Sequence, residues 1–474
     1  MDKLELEILR NAQAIAQKKI DEDKIKVDRV DEIIEIVEKF IIERKLVCYG
    51  GTAINNILPA EEQFYVKDEE LPDYDFFSPK ALEHTKELIQ IYKDRNFTHI
   101  SAFSGAHPGT FKVIVNTVPV ADITQLPEDL FKAIQKRAIV ENFIYYAPPN
   151  YLRMAMFLEL SRPAGDVSRW EKVLVRLQLL NEYYPIDDNR CDHIKFIRDF
   201  EGDKKYVSEL YSVVKDSLIK QGLVFFGAFA CTLYGDRLPK HMQRQLKEVP
   251  DFDVLAIDPL KAANNVATRI LEKKKPNGKH MFKKKDVQVI RHDELGEIIS
   301  THYEVAVGKD SVCFIYKPLA CHSYNTIKRG KQTIKVASID TMLSFYLAFI
   351  YANRPYYDEK RLICMAQYLL DAQAENRLAQ DGLLARFSTV CYGKQKTLDD
   401  LRDEKAAIFK ELKKKRGTPE YEKYFFRYAP SSTKSEPAAS KKSKPASTKS
   451  EPVASKKSTT KKRGKKTKAK TRRA

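Results

Sequence analysis

Apolar positions recur at helical spacing near the start of the chain. Between residues 30 and 44 they fall on one face of a helix, namely at Ile33, Ile34, Val37, Phe40 and Ile41. Asp31 and Glu32 lie in the first turn, where the helix dipole favours negative charge. The pattern predicts a helix over 30–44, within an N-terminal helical region that ends near residue 45.

The hydrophobic period changes within a few residues after this helix. Residues 45–49 form a short apolar run typical of a strand, and Gly50 and Gly51 follow directly. Residues 52–58 return to helical character. This segment predicts a strand, a glycine turn and the N-terminus of a helix.

Strand and helix patterns alternate over the next hundred residues. They predict, in order, strands at 74–77 and within 111–123 and helices at 81–95, 129–142 and 151–180, the last broken near 162. Alternation of this kind is typical of a mixed α/β domain.

An internal repeat appears when the chain is shifted against itself by 177 or 178 residues. LVCYGGTA at 46–53 aligns with LVFFGAFA at 223–230, and LPDYDFF at 71–77 aligns with VPDFDVL at 249–255. Weaker echoes follow in the same order: 151–163 with 342–355, and VRLQLL at 175–180 with CMAQYLL at 364–370. We interpret the repeat as two copies of one fold.

The repeat and the composition together divide the chain into four parts. We predict an N-terminal helical region at 1–45, a first domain at 46–185 and a second at 186–428 that ends in helices. Beyond 428 the residues are mainly Ser, Thr, Lys, Pro and Ala, and STKSEPAASKKS recurs as STKSEPVASKKS. We expect 429–474 to be a disordered, Lys-rich tail.

Charge is concentrated in that tail. The whole chain of 474 residues carries a formal net charge of +18. Residues 431–474 hold 16 basic residues and two glutamates, which gives a net charge of +14 and leaves +4 for the rest of the chain.

The seven cysteines are scattered without a CxxC pair, so we expect reduced thiols and no structural zinc. No run is long and apolar enough for a membrane helix, so we expect a soluble protein without a secretion signal.

Two aspartates in the first domain are spaced so that their carboxylates could bind cations together. Asp73 and Asp75 lie at i and i+2, so on a strand both carboxylates project from one face. Asp122 lies in the apolar run VPVADI, where a charge is costly unless something neutralises it. Any one of these carboxylates alone would more often cap a neighbouring loop; the interest lies in the set.

The glycine turn upstream supplies the complementary chemistry. At Gly50, Gly51 and Thr52 the exposed N–H groups of a helix N-terminus favour phosphate, and a missing Cβ lets phosphate approach. Mg²⁺ prefers hard carboxylate oxygens, and two such ions stabilise the entering and leaving oxygens of a phosphoryl transfer. Three carboxylates beside a glycine turn therefore predict a two-metal phosphoryl-transfer site.

The combination of YGGTAI, PDYDFFS, VADIT and the helical YLRMAMFLELSRP resembles a known family. It is similar to the catalytic subunit of the poly(A) polymerases of poxviruses, asfarviruses and giant DNA viruses, within the polymerase β-like nucleotidyltransferase superfamily. The resemblance spans roughly 30–375. It implies an α/β (α+β) protein with two copies of a nucleotidyltransferase fold. It also implies an active site at Gly50, Gly51, Asp73, Asp75 and Asp122, with Mg²⁺ or Mn²⁺ as the two ions.

The second copy departs from this pattern. Asp251 and Asp253 remain, but Ala228 and Phe229 replace Gly51 and Thr52, and we expect Phe229 to crowd a triphosphate. The strand at 313–316, the expected counterpart of the third carboxylate region, leads into residues 318–322 without an aspartate. We therefore predict a degenerate domain kept as an RNA-binding or dimerisation surface, as the resemblance also implies.

Two basic segments are candidates for RNA contact. A predicted hairpin with an Asn-Gly turn carries Lys273, Lys274, Lys275, Lys283, Lys284 and Lys285. The same lysines are equally typical of a solvated hairpin. The tail would attract any polyanion, or serve as a nuclear-import signal.

These observations favour a template-independent polynucleotide adenylyltransferase that uses ATP to extend an mRNA 3′ end. Two alternatives stay open: a nucleotidyltransferase with another nucleotide or acceptor, such as a terminal uridylyltransferase, and a non-enzymatic RNA-binding scaffold. The expected partners are RNA and ATP, without a membrane, together with either a second copy of the chain or a processivity subunit. From the resemblance we expect the cytoplasmic site of viral replication or the virion, with nuclear entry through the tail left open.

Overall fold

The computed structural model describes residues 3–65, 71–186, 191, 194–198, 200, 206–236 and 252–429. The predicted disordered tail beyond 429, Asp251 and residues 66–70 lie outside these residues. The described residues belong to one compact unit, Met1–Pro430. The boundary between the two predicted domains near 185 stays a prediction.

The part of the chain up to Tyr183 builds the first sheet and its helices. Its helices are α1 Lys3–Ile25, α2 Val30–Glu43, α3 Gly50–Ile57, α4 Ala81–Asp94, α5 Glu128–Gln135, α6 Pro149–Leu160 and α7 Trp170–Tyr183. Its strands are β1 Val47–Cys48, β2 Tyr74–Ser78, β3 Ile100–Ser104, β4 Thr110–Val115, β5 Val118–Gln125, β6 Ile139–Glu141 and β7 Ile144–Tyr146. The helix predicted at 30–44 is thus confirmed to within one residue.

The rest of the described chain builds a second sheet and a C-terminal segment. The helices are α8 Val207–Lys220, α9 Ala228–Gly235, α10 Pro259–Glu272, α11 Ile339–Phe349, α12 Glu359–Glu375, α13 Leu398–Leu412 and α14 Pro419–Phe425. The strands are β8 Val224–Phe225, β9 Phe252–Leu255, β10 Val287–His292, β11 His302–Val307, β12 Asp310–Tyr316, β13 His322–Arg329, β14 Gln332–Ala337, β15 Cys391–Tyr392 and β16 Arg427–Tyr428.

The two sheets share the order of seven strands, and the eighth strand is added at opposite ends, β16 beside β3 and β15 beside β13. The first has the order β16-β3-β4-β5-β2-β1-β7-β6, and the second has the order β10-β11-β12-β9-β8-β14-β13-β15. In each, the strand of the aspartate motif pairs in parallel with one neighbour and antiparallel with the other, as β2 does with β5 and β1 and as β9 does with β12 and β8. The predicted α/β fold with two mixed sheets is confirmed.

Apolar side chains form one continuous core across the described residues. In α2 the predicted apolar face is buried, with Ile33, Val37 and Ile41 fully inaccessible to solvent. The C-terminal segment returns to the first sheet, since β16 pairs with the outer strand β3. Among the described helices, none combines the length and the apolar character that crossing a membrane requires.

The helix predicted at 129–142 is wrong in its second half. Helix α5 ends at Gln135, and residues 139–146 form the β6–β7 hairpin. Asn142 and Phe143 have positive φ angles of 50° and 66°. Two left-handed residues in succession are typical of a tight hairpin turn, and this local geometry overrides the helical pattern.

The expectation of seven reduced cysteines is also wrong in this structure. Disulfides join Cys191 to Cys364 and Cys321 to Cys391, across 173 and 70 residues of sequence. The other three cysteines, Cys48, Cys231 and Cys313, are free and buried. Partners this far apart leave no local spacing signal, so the sequence pattern did not reveal them.

Candidate active site

The glycine turn brings two side chains of opposite charge against the start of α3. Gly50 has φ +75°, and a Cβ there would lie 2.6 Å from Oδ2 of Asp75. A Cβ on Gly51 would lie 2.5 Å from the Tyr65 hydroxyl and 2.7 Å from Nη1 of Arg176. Each glycine therefore admits the close approach of a functional side chain. The sequence pattern had indicated only the room for phosphate.

Thr52 links the glycine turn to the aspartate strand. Its hydroxyl donates a hydrogen bond to the backbone oxygen of Asp73 at 2.8 Å, and the residue is 6% exposed. The Thr52 side chain is therefore engaged in positioning Asp73. Its backbone remains in the first turn of α3, where free N–H groups favour an anion.

Asp75 and Asp122 are direct neighbours across the sheet. They are register partners on the parallel strands β2 and β5, so their side chains project from the same face. The backbone N–H of Tyr49 donates to the backbone oxygen of Asp75 at 2.9 Å, which ties β2 to the residue before the glycine turn. The structure thus places Asp75, Asp122 and the glycine turn side by side at the central strands β2 and β5, with Asp73 one residue before β2.

Burial and mutual repulsion act on these carboxylates. Burial first, and then the charges of Asp73 and Asp122, raise the pKa of Asp75 to about 7. Burial and the charge of Asp122 likewise raise the pKa of Asp73. Carboxylates that repel each other in a partly buried place are stabilised by a cation. The site therefore favours binding of positive charge.

One such charge is supplied by Lys112. This residue is the register partner of Asp122 on β4, and its ammonium forms an ion pair with the Asp122 carboxylate. Among the described residues, no group of three carboxylate, thiol or imidazole side chains is already gathered to hold a metal ion. The donor set nevertheless fits a divalent cation, because Asp73, Asp75 and Asp122 offer hard oxygens on and beside neighbouring strands, and the pKa values of Asp73 and Asp75 are raised.

The sequence pattern missed the cations around this site. Arg176 lies against Gly51, as described above, and the charge of Arg169 lowers the pKa of Asp75. Arg169 also pairs with Glu159 at 3.0 Å. Arg169 is the residue before α7, and Arg176 lies seven residues further on within the helix, about two helical turns away and so on the same side. That spacing was the available signal, although charged residues on an amphipathic helix are common.

The corresponding site in the second half is rebuilt. Asp253 takes the place of Asp75, and a Cβ on Gly227 would lie 2.2 Å from its Oδ2. The register partner of Asp253 on β12 is Phe314, which therefore stands where the first half has Asp122. Arg198 donates to Asp253 at 2.9 Å and lies 4.5 Å from the centre of the Phe314 ring. The Arg198 guanidinium thus lies against the side chains of both strands, at the level of Asp253 and Phe314.

The expected crowding by Phe229 is not what closes this second site. Its ring packs against Phe225 and Phe252, with centroids 5.0 and 5.4 Å away, and the residue is 7% exposed. Phe229 is therefore turned into the core, as its counterpart Thr52 is. The arginine described above, rather than the phenylalanine, fills the site.

The turn of the predicted lysine hairpin is present, closed by an isolated bridge between Lys274 and His280, but Lys284 and Lys285 lie in a 3-10 helix, and the lysines of the group differ in their contacts. Gly278 has φ +77° in the turn, and Lys275 donates its backbone N–H to Lys279. Lys273 pairs with Glu209 at 2.7 Å, and the Lys275 ammonium lies over the ring of Tyr206. The exposed lysines of the group are Lys274, Lys283, Lys284 and Lys285.

Comparisons with known proteins agree with the resemblance. Residues 35–166 match the sequence model of the family described as Poly(A) polymerase catalytic subunit. A putative poly(A) polymerase catalytic subunit of African swine fever virus (isolate Tick/Malawi/Lil 20-1/1983) is 32% identical over 180 residues, 37% of each chain. One of Acanthamoeba polyphaga mimivirus is 29% identical over 164 residues, 33% of this chain and 27% of the relative. The matches thus span between 27% and 37% of the length of these relatives.

A solved structure extends the likeness over most of the chain. The crystal structure of the Megavirus polyadenylate synthase superposes with a TM-score of 0.73 and covers 91% of this chain and 86% of its own. The two sequences are 18% identical, so this likeness establishes a shared fold. The resemblance to viral poly(A) polymerase catalytic subunits is confirmed, and the fold it implied is found throughout the described body.

Proposed function

We propose that this chain transfers adenylate from ATP to the 3′ end of RNA and releases pyrophosphate. The observation that carries the proposal is the pairing of Asp75 with Asp122 on parallel strands directly beside Gly50. Carboxylates in this position and a helix N-terminus meet the two needs of nucleotidyl transfer, which are cation binding and phosphate binding. Because the similar proteins are named as poly(A) polymerase catalytic subunits, we take ATP and RNA as the proposed substrates.

The roles follow from the geometry. Two divalent cations bound by Asp73, Asp75 and Asp122 would neutralise charge on the entering and leaving oxygens. Gly50, Gly51 and Thr52 present backbone N–H groups to the triphosphate. Lys112 neutralises Asp122 in the absence of other cations, because its ammonium already pairs with that carboxylate.

The second half serves RNA binding in this proposal. Its aspartate Asp253 is paired with Arg198, and the Phe314 side chain supplies no oxygen, so the described residues of this copy form no metal site of the same design. Exposed lysines of the hairpin and the basic tail at 429–474 supply charge for the RNA backbone. The chain either forms a dimer with a second copy or works with a processivity subunit. Sedimentation of the purified protein distinguishes a dimer from a monomer.

A primer-extension assay tests the function and separates the alternatives. The purified protein is incubated with a labelled RNA primer, Mg²⁺ or Mn²⁺, and each nucleoside triphosphate separately. Extension with ATP but with no other nucleotide supports the proposal, and preference for UTP identifies a terminal uridylyltransferase. RNA binding without extension by any nucleotide identifies a scaffold and contradicts the proposal.

The site assignment is tested separately in the same assay. Asp73→Asn, Asp75→Asn and Asp122→Asn should each reduce extension by at least about 100-fold, because each removes a charge that binds the cations. RNA affinity and the far-ultraviolet circular dichroism spectrum should stay unchanged. Asp94→Asn, on the exposed end of α4, is the matched control. Retention of most activity in any of the three variants would contradict the assignment.

A further inference from the structure

Arg176 lies where a triphosphate would meet the start of α3. Its Nη1 is 2.7 Å from the position that a Cβ on Gly51 would occupy, so the guanidinium touches the first turn of the helix. The first N–H groups of a helix have no partner within the helix. Backbone donors and a permanent positive charge therefore converge on one point.

The position of this guanidinium is fixed by α3 itself. Nη2 of Arg176 donates to the Tyr65 hydroxyl at 2.8 Å, and the guanidinium carbon lies 4.4 Å from the centre of the Phe64 ring. The backbone N–H groups of Phe64 and Tyr65 both donate to Oδ1 of Asn55 at 2.8 Å. Asn55 is a buried residue of α3, so the helix that offers the N–H groups also anchors the residues that orient the arginine.

The charge of Arg176 acts on two aromatic rings and, at longer range, on Glu159, rather than in a direct ion pair among the described residues. By contrast, Arg169 on the same side of α7 pairs directly with Glu159. The Tyr65 hydroxyl accepts from one of its five N–H donors. When VRLQLL is aligned with MAQYLL of the second copy, Ala366 stands at the position of Arg176. The half with a rebuilt aspartate site thus lacks this cation as well.

We infer that Arg176 binds the β- and γ-phosphates of ATP, and so the leaving pyrophosphate; this inference rests on the proposed function. In that reaction the RNA 3′ oxygen forms a bond to the α-phosphorus and gives up its proton to water. The bond from the α-phosphorus to the bridging oxygen breaks, and its electron pair stays with pyrophosphate. The guanidinium stabilises this growing charge through paired N–H donors and transfers no proton itself.

Nucleotide binding without RNA tests the inference independently of catalysis. The affinities of ATP, pyrophosphate and AMP are measured at equilibrium with Arg176→Gln, with Arg176→Lys and with the control Arg402→Gln. Arg402 lies on α13 and is 77% exposed. Loss of a charged hydrogen bond corresponds to about a 10- to 100-fold loss of affinity, which we expect for ATP and pyrophosphate in Arg176→Gln. The affinity of Arg176→Gln for AMP, which lacks both phosphates, should lie within about twofold of that of the control. The affinities of Arg176→Lys for ATP and pyrophosphate should lie between those of Arg176→Gln and those of Arg402→Gln.

Primer extension supplies a second readout. In Arg176→Gln the KM for ATP should rise, and inhibition by added pyrophosphate should weaken by a similar factor, whereas RNA affinity stays unchanged. Equal losses of ATP and AMP affinity, or ATP and pyrophosphate affinities equal to those of Arg402→Gln, would overturn the inference. If the wild-type chain extends no primer but Arg176→Gln still loses pyrophosphate affinity selectively, the proposed function fails and the phosphate-binding role stands.

Discussion

Arg198 donates a hydrogen bond to Asp253 at 2.9 Å, and the two side chains are only 14% and 9% exposed. Asp253 matches Asp75 of the first half, because both follow a glycine turn and both face a residue of the parallel neighbouring strand. That residue is Asp122 on β5 for Asp75 and Phe314 on β12 for Asp253. A direct ion pair therefore compensates Asp253, whereas Asp75 feels only the more distant charges of Lys112 and Arg169 and keeps a raised pKa. The two halves share a fold but differ in how this aspartate is compensated.

Breaking that ion pair should destabilise the protein without affecting catalysis. Arg198→Met leaves Asp253 buried without this partner, which should lower the free energy of unfolding by about 3 to 5 kcal/mol. Urea denaturation measures the loss. Primer extension at saturating RNA should remain close to wild type, because the first half carries the proposed site.

The double variant Arg198→Met with Asp253→Asn is the control for this prediction. It removes the buried charge together with its partner and should recover much of the lost stability. A single variant as stable as wild type would show that the pair contributes little. A loss of nucleotide transfer in a folded Asp253→Asn variant would mean that the second half takes part in catalysis.

Asp75→Asn should stabilise the protein when divalent cations are absent. The folded-state pKa of about 7 lies above the ordinary value of 3.8, so ionising Asp75 above pH 7 opposes folding. Its neutral replacement should raise the free energy of unfolding at pH 8 by between about 1 and 4 kcal/mol. Denaturation in EDTA measures this gain. Mg²⁺ should then stabilise wild type but not the variant, and equal stabilisation of both would contradict cation binding at Asp75.

Much of this site could be predicted from sequence because its parts are local. The change from a strand period to Gly50 and Gly51 and then to a helical period marks the turn, and alternation places Asp73 and Asp75 on one face. The pairing of Asp75 with Asp122 could not be predicted in the same way. Register depends on how two strands 40 residues apart align, and no local pattern records it.

Residues that reach the site from distant elements were the ones missed. Arg176 lies on α7, far along the chain from Gly51, and one arginine on an amphipathic helix resembles any other solvated residue. The strand at 313–316 was predicted as the counterpart of the third carboxylate region, but the register of Phe314 with Asp253 was missed, because a longer connection in the second half breaks the offset of the repeat. The place of Arg176 and the register of Phe314 were identified only after the strands and helices had been placed.

Acid should weaken the second half through His302. Burial lowers the pKa of this histidine to about 4, and its two ring nitrogens lie 2.9 Å from the Ser300 backbone oxygen and the Tyr356 hydroxyl. Since the folded-state pKa is below the ordinary value of 6.5, its contribution is complete above pH 6.5 and is lost as pH falls towards 4. The loss should be about 2 to 3 kcal/mol.

Denaturation between pH 4 and pH 7.5 checks this dependence. His302→Gln should flatten the slope between pH 6.5 and pH 4, and exposed His107→Gln should leave it unchanged. Burial also lowers the pKa of His322, to about 3, so part of the slope should persist in the first variant. An unaltered slope in His302→Gln would show that this histidine is protonated without cost.

The two disulfides predict a specific thiol count. Under denaturing conditions without reductant, an alkylating reagent should modify only Cys48, Cys231 and Cys313, and mass spectrometry should find all seven modified after reduction. Reduction should also lower stability, because the bond from Cys191 to Cys364 closes a loop of 173 residues and loop closure on this scale corresponds to about 5 kcal/mol. Seven reactive thiols in the unreduced protein would contradict both bonds.

Four lysines of the hairpin should account for its affinity for RNA. Replacing Lys274, Lys283, Lys284 and Lys285 by Gln removes the exposed charges, whereas Lys273 and Lys275 already contact Glu209 and Tyr206. If all four engage phosphates of single-stranded RNA, the slope of log K against log salt should become less steep by about 3. Fluorescence anisotropy over a series of salt concentrations measures the slope, and products of primer extension should shorten at limiting RNA.

The control removes the same charge from exposed lysines on helices of the first half or beside them, namely Lys39, Lys93, Lys132 and Lys136. Both variants lower the net charge equally, so a general electrostatic effect would change the two slopes alike. A change confined to the hairpin variant assigns RNA contact to the hairpin, since only specific phosphate contacts release counterions from the bound RNA. Equal slopes for the hairpin variant and wild type would leave the hairpin as a solvated surface and assign RNA binding to other basic segments.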